Sequence, residues 1–276
     1  MGRVYAFDAL LLAPARSMKG CHLIENTAVS LLPATLLEAA AQEKWFRALV
    51  TDVFAAFAWA VRGVTVSGAI AGAVIGFLLI MGAGWGGFAG LAAVFALTWI
   101  ATRVGYRRKQ RLGTAEASSG RNAAQVFSNL GVAAACAGLY LWVWQSAHLL
   151  LALAAALTEA GADTVAGEIG QAVGGTPRLV TSWKQVPSGT DGGITLGGTL
   201  AGMASALALS WTAAATGVIS FHSFSICAAA GFMGSLADSL LGATLERGRI
   251  LGNNTVNLAS TLIAAGIAFM LSLTVS

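Results

Sequence analysis

Two acidic residues in the stretch ADTVAGEIG, Asp163 and Glu168, close an otherwise apolar run, and a third, Asp238 in GFMGSLADSLLGATLERG, closes another. A carboxylate at the centre of a membrane-spanning helix costs about 2.5–3.5 kcal/mol on insertion scales, so such residues usually face a wet cavity or a partner. Carboxylates gathered at a membrane surface are what a Mg²⁺-bound triphosphate needs, because Mg²⁺ takes one or two carboxylates together with phosphate oxygens and keeps several waters. Asp163, Glu168 and Asp238 are therefore the candidate metal ligands, with Mg²⁺ the expected ion. On the second run Gly231, Ser235, Asp238 and Gly242 fall on one helical stripe, which leaves room for a ligand beside the carboxylate. On the first, Glu159, Asp163 and Gly167 share a face. Glu168 lies about 140° round from Asp163 and joins it only if the helix ends or breaks between them, which Gly167 and Gly170 permit.

Two further groups carry phosphate chemistry. The segment GQAVGGTPRLVTSWKQVPSGTDGGITLGG is longer than an ordinary connection, and loops of this length are functional or are flexible linkers. Gly189, Gly192 and Gly193 can turn backbone N–H groups toward phosphate oxygens, Arg178 and Lys184 add positive charge, and Thr181 and Thr190 add hydroxyls. The GK[ST] ending of a Walker A loop is missing. In SSGRNAAQVFSNLG, Asn122, Gln125 and Asn129 recur at i, i+3 and i+7 behind Arg121, so an amide-lined face runs along an apolar helix. That face reads either as interhelical hydrogen bonding or as a lining for nucleotide or phosphate.

The elements that must hold these residues are set by composition. Charged residues make up 10% of the 276 positions and hydrophobic ones 57%, whereas a soluble domain carries about 25% charged residues. The fold class is all-α, a polytopic transmembrane bundle. Candidate spans lie at about 46–61, 64–82, 86–101, 122–144, 147–162, 196–216, 219–237 and 252–275, each compatible with a hydrocarbon core of roughly 30 Å, for about seven or eight crossings. Residues 1–44 form an N-terminal extension expected at the membrane surface or peripheral to it, and 45–276 the transmembrane catalytic domain. In GAIAGAVIG, Gly68, Gly72 and Gly76 recur every fourth residue and make a smooth face for close helix packing. The net charge of +4 comes from basic residues that flank apolar runs, RVGYRRKQR above all. That is the positive-inside pattern and argues against a nucleic-acid partner. Counting crossings from that loop puts 103–121, 163–195 and 238–251 on one face, the cytoplasmic one. Cys21, Cys136 and Cys227 have no CxxC spacing, so neither a disulfide framework nor a zinc site is indicated.

The motifs GRNAAQVFSN, ADTVAGEIG, PRLVTSWKQVPSGTDGGIT and GSLADSLLGAT, in this order over roughly residues 60–275, resemble those of the phytyl-phosphate kinase family of plants and cyanobacteria. The DTVAGEIGQAVGG…K…GTDGG arrangement is also similar to the DGxAxxxGxxxG…K…G[ST] pattern of phytol, farnesol and dolichol kinases. The resemblance implies a membrane kinase that converts an isoprenyl monophosphate, such as phytyl or geranylgeranyl phosphate, to the diphosphate, with CTP or another nucleoside triphosphate as donor, in prenyl-lipid metabolism of the tocopherol type. Catalysis would then fall to Asp163, Glu168, Lys184 and Asp238. Phosphate and nucleotide would be held by Arg121, Asn122, Gln125, Asn129, Arg178, Thr181, Gly189, Thr190, Gly192 and Gly193. The enzyme is expected in the cell inner membrane or its equivalent, with the site facing the cytoplasm, and a homodimer stays open. Two other readings use the same residues: an ion- or proton-coupled transporter with Asp163 and Asp238 as ion sites, and a CTP-dependent nucleotidyl transferase.

Overall fold

The computed structural model describes residues 34–275. It divides into two compact units at Phe46/Arg47, and everything below concerns the second, Arg47–Ser276. Most of the expected peripheral extension, residues 1–33, lies outside the described residues; Cys21 is among them. Nine α-helices follow one another among the described residues: α1 (Ala34–Ala60), α2 (Val66–Gly82), α3 (Gly84–Arg103), α4 (Tyr106–Leu112), α5 (Ala123–Trp142), α6 (Ala147–Val173), α7 (Leu196–Ala215), α8 (Phe224–Leu241) and α9 (Asn253–Val275). Between α6 and α7 stands a two-stranded antiparallel ribbon, β1 (Arg178–Leu179) and β2 (Gly193–Ile194), with Arg178 opposite Ile194. Backbone groups in lipid have no water to bond to, so apolar runs of this length fold as helices. Every expected span falls on one of them. By length and composition five are long and apolar enough to cross a membrane (α3, α5, α6, α8 with its flanking turns, and α9), and α2 is a shorter apolar helix. The membrane bundle is thus all-α, as the composition requires.

Helix α6 is the centre of the unit: 78% of its most apolar window is buried, against 33–44% for the other four. Its sequence is rich in alanine, and Ala152, Ala154, Ala155, Ala156, Ala160 and Ala162 are all buried. A Cβ added at Gly198 of α7 would stand 2.5 Å from the Ala166 carbonyl oxygen, and one at Gly234 of α8 would stand 2.6 Å from Glu159 Cγ. Close backbone approach through small residues is how helices associate in lipid, where tails are as apolar as leucine. The glycine face of α2 divides its work. Gly68 packs on the Arg121 backbone and Gly76 on Leu91 and Thr51, while Gly72 has nothing within 4 Å of an added Cβ and borders a cavity.

α6 also differs from expectation at its end. It runs unbroken to Val173, past the expected stop near residue 162. Gly167 and Gly170 stay helical because α7 packs directly against this stretch, with Gly170 beside Thr195 and Gly198. Asp163 and Glu168 therefore keep different faces of one continuous helix.

The three polar segments meet at one end of the unit. Gly105 packs on Ala172, Gly174 on Arg108, Gly189 on Thr114 and Gly192 on Ala243. The loop before α5 is tied to the α1–α2 turn by backbone bonds from Arg121 N to Gly63 O (3.1 Å) and from Thr65 N to Arg121 O (2.9 Å).

Candidate functional site

At that shared end Asp163 of α6 and Asp238 of α8 line an open cleft of about 930 Å³, whose opposite wall is the glycine-rich turn from Ser188 to Ile194. Ser235 of the α8 stripe and its neighbour Ser239 also line it. The turn is ordered, not a loose linker. Val180 N donates to Gly192 O (3.0 Å), Gly193 N to Thr190 O (2.9 Å) and Val186 N to Pro177 O (3.0 Å). Gly192 adopts φ +72° against Ala243, a close approach on the left-handed side that only glycine makes without strain.

Negative charge accumulates here. Asp163 lies within electrostatic reach of Asp238, Glu246 and Arg121, and Asp238 and Glu246 within reach of Asp191. Asp238 Oδ2 accepts from Ser260 Oγ at 3.0 Å. The Asn257 amide satisfies its neighbours in one orientation: its nitrogen donates to Asp238 Oδ2 (3.2 Å) and Asn253 O (3.2 Å), and its oxygen accepts from Asn129 Nδ2 (3.3 Å). One turn before Asp163, Glu159 is 1% exposed, and its Oε1 has no hydrogen-bond partner. An uncompensated buried carboxylate beside two others is costly unless it is protonated or shares a cation. Among the described residues no three His, Cys, Asp or Glu side chains converge as ligands of one metal ion. The expected trio Asp163, Glu168 and Asp238 is therefore not a ligand set. Mg²⁺ still fits the donors present, Asp163 and Asp238 of the cleft, since it asks for only one or two carboxylates when phosphate oxygens and water supply the rest.

The expected site residues separate into groups. Asp163, Asp238, Gly189, Thr190, Gly192 and Gly193 come together in the cleft; the Thr190 hydroxyl is turned to Pro187 O (2.8 Å). Glu168 does not join them. It forms an ion pair with Lys109, which is wholly buried and also donates to Ala101 O (3.1 Å) and Thr102 O (2.8 Å). Lys184 and Thr181 are exposed and are absent from the cleft lining, to which the later part of the same β1–β2 connection contributes. Arg178 Nη1 donates to Trp183 O at 2.8 Å, which commits its guanidinium to the ribbon itself. Asn122 and Gln125 form a capping box at the start of α5, the reciprocal bond pattern that ends a helix N-terminus. Arg121, Gln125 and Asn129 border a second cavity, mostly apolar and of about 920 Å³ counting its mouth, between α1, α2, α3 and α5.

Sequence reasoning passed over Lys109, Asp191, Glu246, Asn257 and Ser260, and placed Glu159 on the Asp163 face without a role. Glu159 carried the same signal as its neighbours, an acid in an apolar run. Lys109 gave none, since one basic residue of RVGYRRKQR looks like another until α4 packs against the end of α6.

Comparison with known proteins places these features in a family. A family model described as integral membrane protein DUF92 matches residues 49–265. The chain is 35% identical over 199 residues to an uncharacterized membrane protein of Synechocystis, covering 71% of this chain and 77% of that one. It is 32% identical over 209 residues to a membrane protein of Methanocaldococcus jannaschii, covering 74% and 84%. To Protein VTE6, chloroplastic, of Arabidopsis thaliana it is 31% identical over 221 residues, covering 76% of this chain and 66% of that protein. No solved structure matches. With the model spanning most of the bundle and relatives above 30% identity from cyanobacteria, archaea and plants, this chain belongs to the DUF92 family of integral membrane proteins.

Proposed function

We propose that the protein is a membrane prenyl-phosphate kinase, which transfers the terminal phosphoryl group of a nucleoside triphosphate, CTP in the first instance, to an isoprenyl monophosphate. The observation that carries this reading is the cleft in which Asp163 and Asp238 face the glycine-rich turn Ser188–Ile194, next to a mainly apolar cavity bordered by Arg121. The motif resemblance to phytyl-phosphate kinases and the membership of a family that includes Protein VTE6 support the same reaction class.

Phosphoryl transfer asks a protein mainly for in-line positioning and charge neutralisation. Asp163 and Asp238 would hold Mg²⁺ on the triphosphate. When bound, the ion would neutralise charge on the phosphate oxygens. Ser260 and Asn257 fix the Asp238 carboxylate by hydrogen bonds, and Gly189, Gly192 and Gly193 offer a wall without side chains against which phosphates can lie. Arg121 would face the acceptor phosphate, which is already ionised at neutral pH, so no general base is required.

Purified protein, Mg²⁺, a panel of nucleotides and isoprenyl monophosphates, with products weighed by mass spectrometry, tests the reading. A prenyl diphosphate with release of the nucleoside diphosphate is the expected result. Pyrophosphate release with a nucleotidylated lipid would identify a nucleotidyl transferase instead. Ion-coupled transport is favoured by one observation, the unpartnered buried oxygen of Glu159; nucleotide-independent proton or cation uptake in proteoliposomes would establish it.

A further inference from the structure

The cavity between α1, α2, α3 and α5 has one apolar wall system and one basic end, and the cleft mechanism above leaves its apolar part unused. Phe54, Ala58, Leu91, Phe95 and Leu130 form the walls, and Arg62, Arg103 and Arg121 stand among its lining residues with Gln125, Asn129 and one carboxylate, Glu116, which accepts from Gln125 Nε2 at 3.4 Å. Its empty space, about 920 Å³ with the open mouth counted, is lined mainly by apolar side chains with a few polar groups, the make-up of sites that take small ligands. The arginines are not equivalent, and Arg62 is exposed. Arg103 lies over the Trp99 ring at 3.7 Å and donates to Val61 O at 2.7 Å, so it shapes the rim. Arg121 is half-buried and interacts electrostatically with Asp163, so it looks from this cavity toward the acidic cleft. A second link runs beside it: Asn129, which borders the cavity, donates to Asn257, which donates to Asp238 in the cleft.

An anionic head with one flexible apolar chain fits this shape and charge. We propose that the α1–α2–α3–α5 cavity holds the isoprenoid chain of the lipid phosphate, with its phosphate against Arg121 at the point where the cavity meets the Asp163–Asp238 cleft, and that Gly72 sets the length of chain admitted. The inference rests on the kinase reading for the identity of the head group. Gly72 is the sensitive position because it borders the cavity and an added Cβ there meets nothing within 4 Å. A larger side chain at 72 therefore occupies the cavity without forcing α2 aside.

The test uses full-length protein in detergent and three probes, geranyl, farnesyl and geranylgeranyl monophosphate, with binding followed by isothermal titration and binding of a non-hydrolysable CTP analogue measured in parallel. Wild type is expected to bind more tightly as the chain grows, roughly tenfold or more per isoprene unit while the cavity has room. Gly72→Phe should weaken geranylgeranyl phosphate at least tenfold and geranyl phosphate little, with the nucleotide analogue unchanged. Gly266→Phe adds the same ring on the open outer side of α9, where an added Cβ also meets nothing within 4 Å, and should behave as wild type. Equal geranylgeranyl phosphate binding by wild type and Gly72→Phe would overturn the proposal while leaving the kinase reading standing. Displacement of the probe by dioleoyl phosphatidic acid at equal concentration would overturn the single-chain occupant. If the chain-length dependence and its loss in Gly72→Phe are found but no nucleotide yields a diphosphate, the cavity assignment holds and the kinase reading fails.

Discussion

At the scale of single residues the cleft turns on Asp163 and Asp238. Replacing either by Asn keeps the shape of the side chain and removes the charge a cation needs, so Asp163→Asn and Asp238→Asn are each expected to lower kcat by about 10²–10³-fold, the range seen when one preorganised electrostatic partner is lost. Steady-state assay of the two variants, with circular dichroism to verify helix content, checks this; turnover within twofold of wild type would remove the residue from the site. The opposite outcome is expected at Lys184. Its side chain is exposed and does not line the cleft, so Lys184→Ala should leave the nucleotide KM within about twofold, as surface substitutions generally do. A tenfold rise would mean that the ribbon folds over the bound nucleotide. These two cases mark what was readable in advance. An acid in an apolar run is anomalous by composition alone, which is why Asp163 and Asp238 stood out. Lys184 looked equally apt by type, but it lies in the long connection between two two-residue strands, where no hydrophobic alternation reveals which residues face the cleft.

At the scale of elements the helices were legible because lipid thickness and backbone hydrogen bonding leave few alternatives to an apolar helix. Their ends were less so. Nothing local to ADTVAGEIG says that α6 continues to Val173; its last turns are held by α7 packing and by the pairing of Glu168 with Lys109 of α4. That pair makes its own prediction. Lys109→Met leaves the Glu168 carboxylate without its cation in a mostly buried place, and breaking a buried ion pair by one partner costs about 3–5 kcal/mol. Replacing both, as Lys109→Met with Glu168→Gln, removes the uncompensated charge. The single variant is therefore expected to melt well below wild type in a detergent thermal-shift assay, and the double variant to recover most of the loss. Because neither member of the pair lines the cleft, the double variant should retain nucleotide binding. If single and double variants melted alike, the pair would not be what holds α4 to α6.

At the scale of the whole bundle, the contacts between its polar segments bear on sidedness. Arg108 meets Gly174, Thr114 meets Gly189 and Ala243 meets Gly192, so the α3–α5 connection, the glycine-rich segment and the turn after α8 share one end, as counting crossings from the basic loop required. On the kinase reading a water-soluble triphosphate would reach Asp163 and Asp238 from that end, and the basic residues of RVGYRRKQR lead us to propose that it is the cytoplasmic side. Single cysteines at Gln110, Ser188 and Arg247, in a background with Cys21, Cys136 and Cys227 replaced, are expected to react with an impermeant thiol reagent from the cytoplasmic side only. A cysteine at Thr216, in the exposed turn after α7 at the other end of that helix, should react only from the opposite side. Because the contacts fix the first three positions to one another, they must label together. Label at Ser188 from the side opposite Gln110 would contradict the packing of Gly189 on Thr114, whereas all four positions labelling with their sides exchanged would keep the bundle and invert it in the membrane. In that inverted case the cleft would open away from the cytoplasmic nucleotide pool, and the kinase reading would lose its donor while the fold stood unchanged.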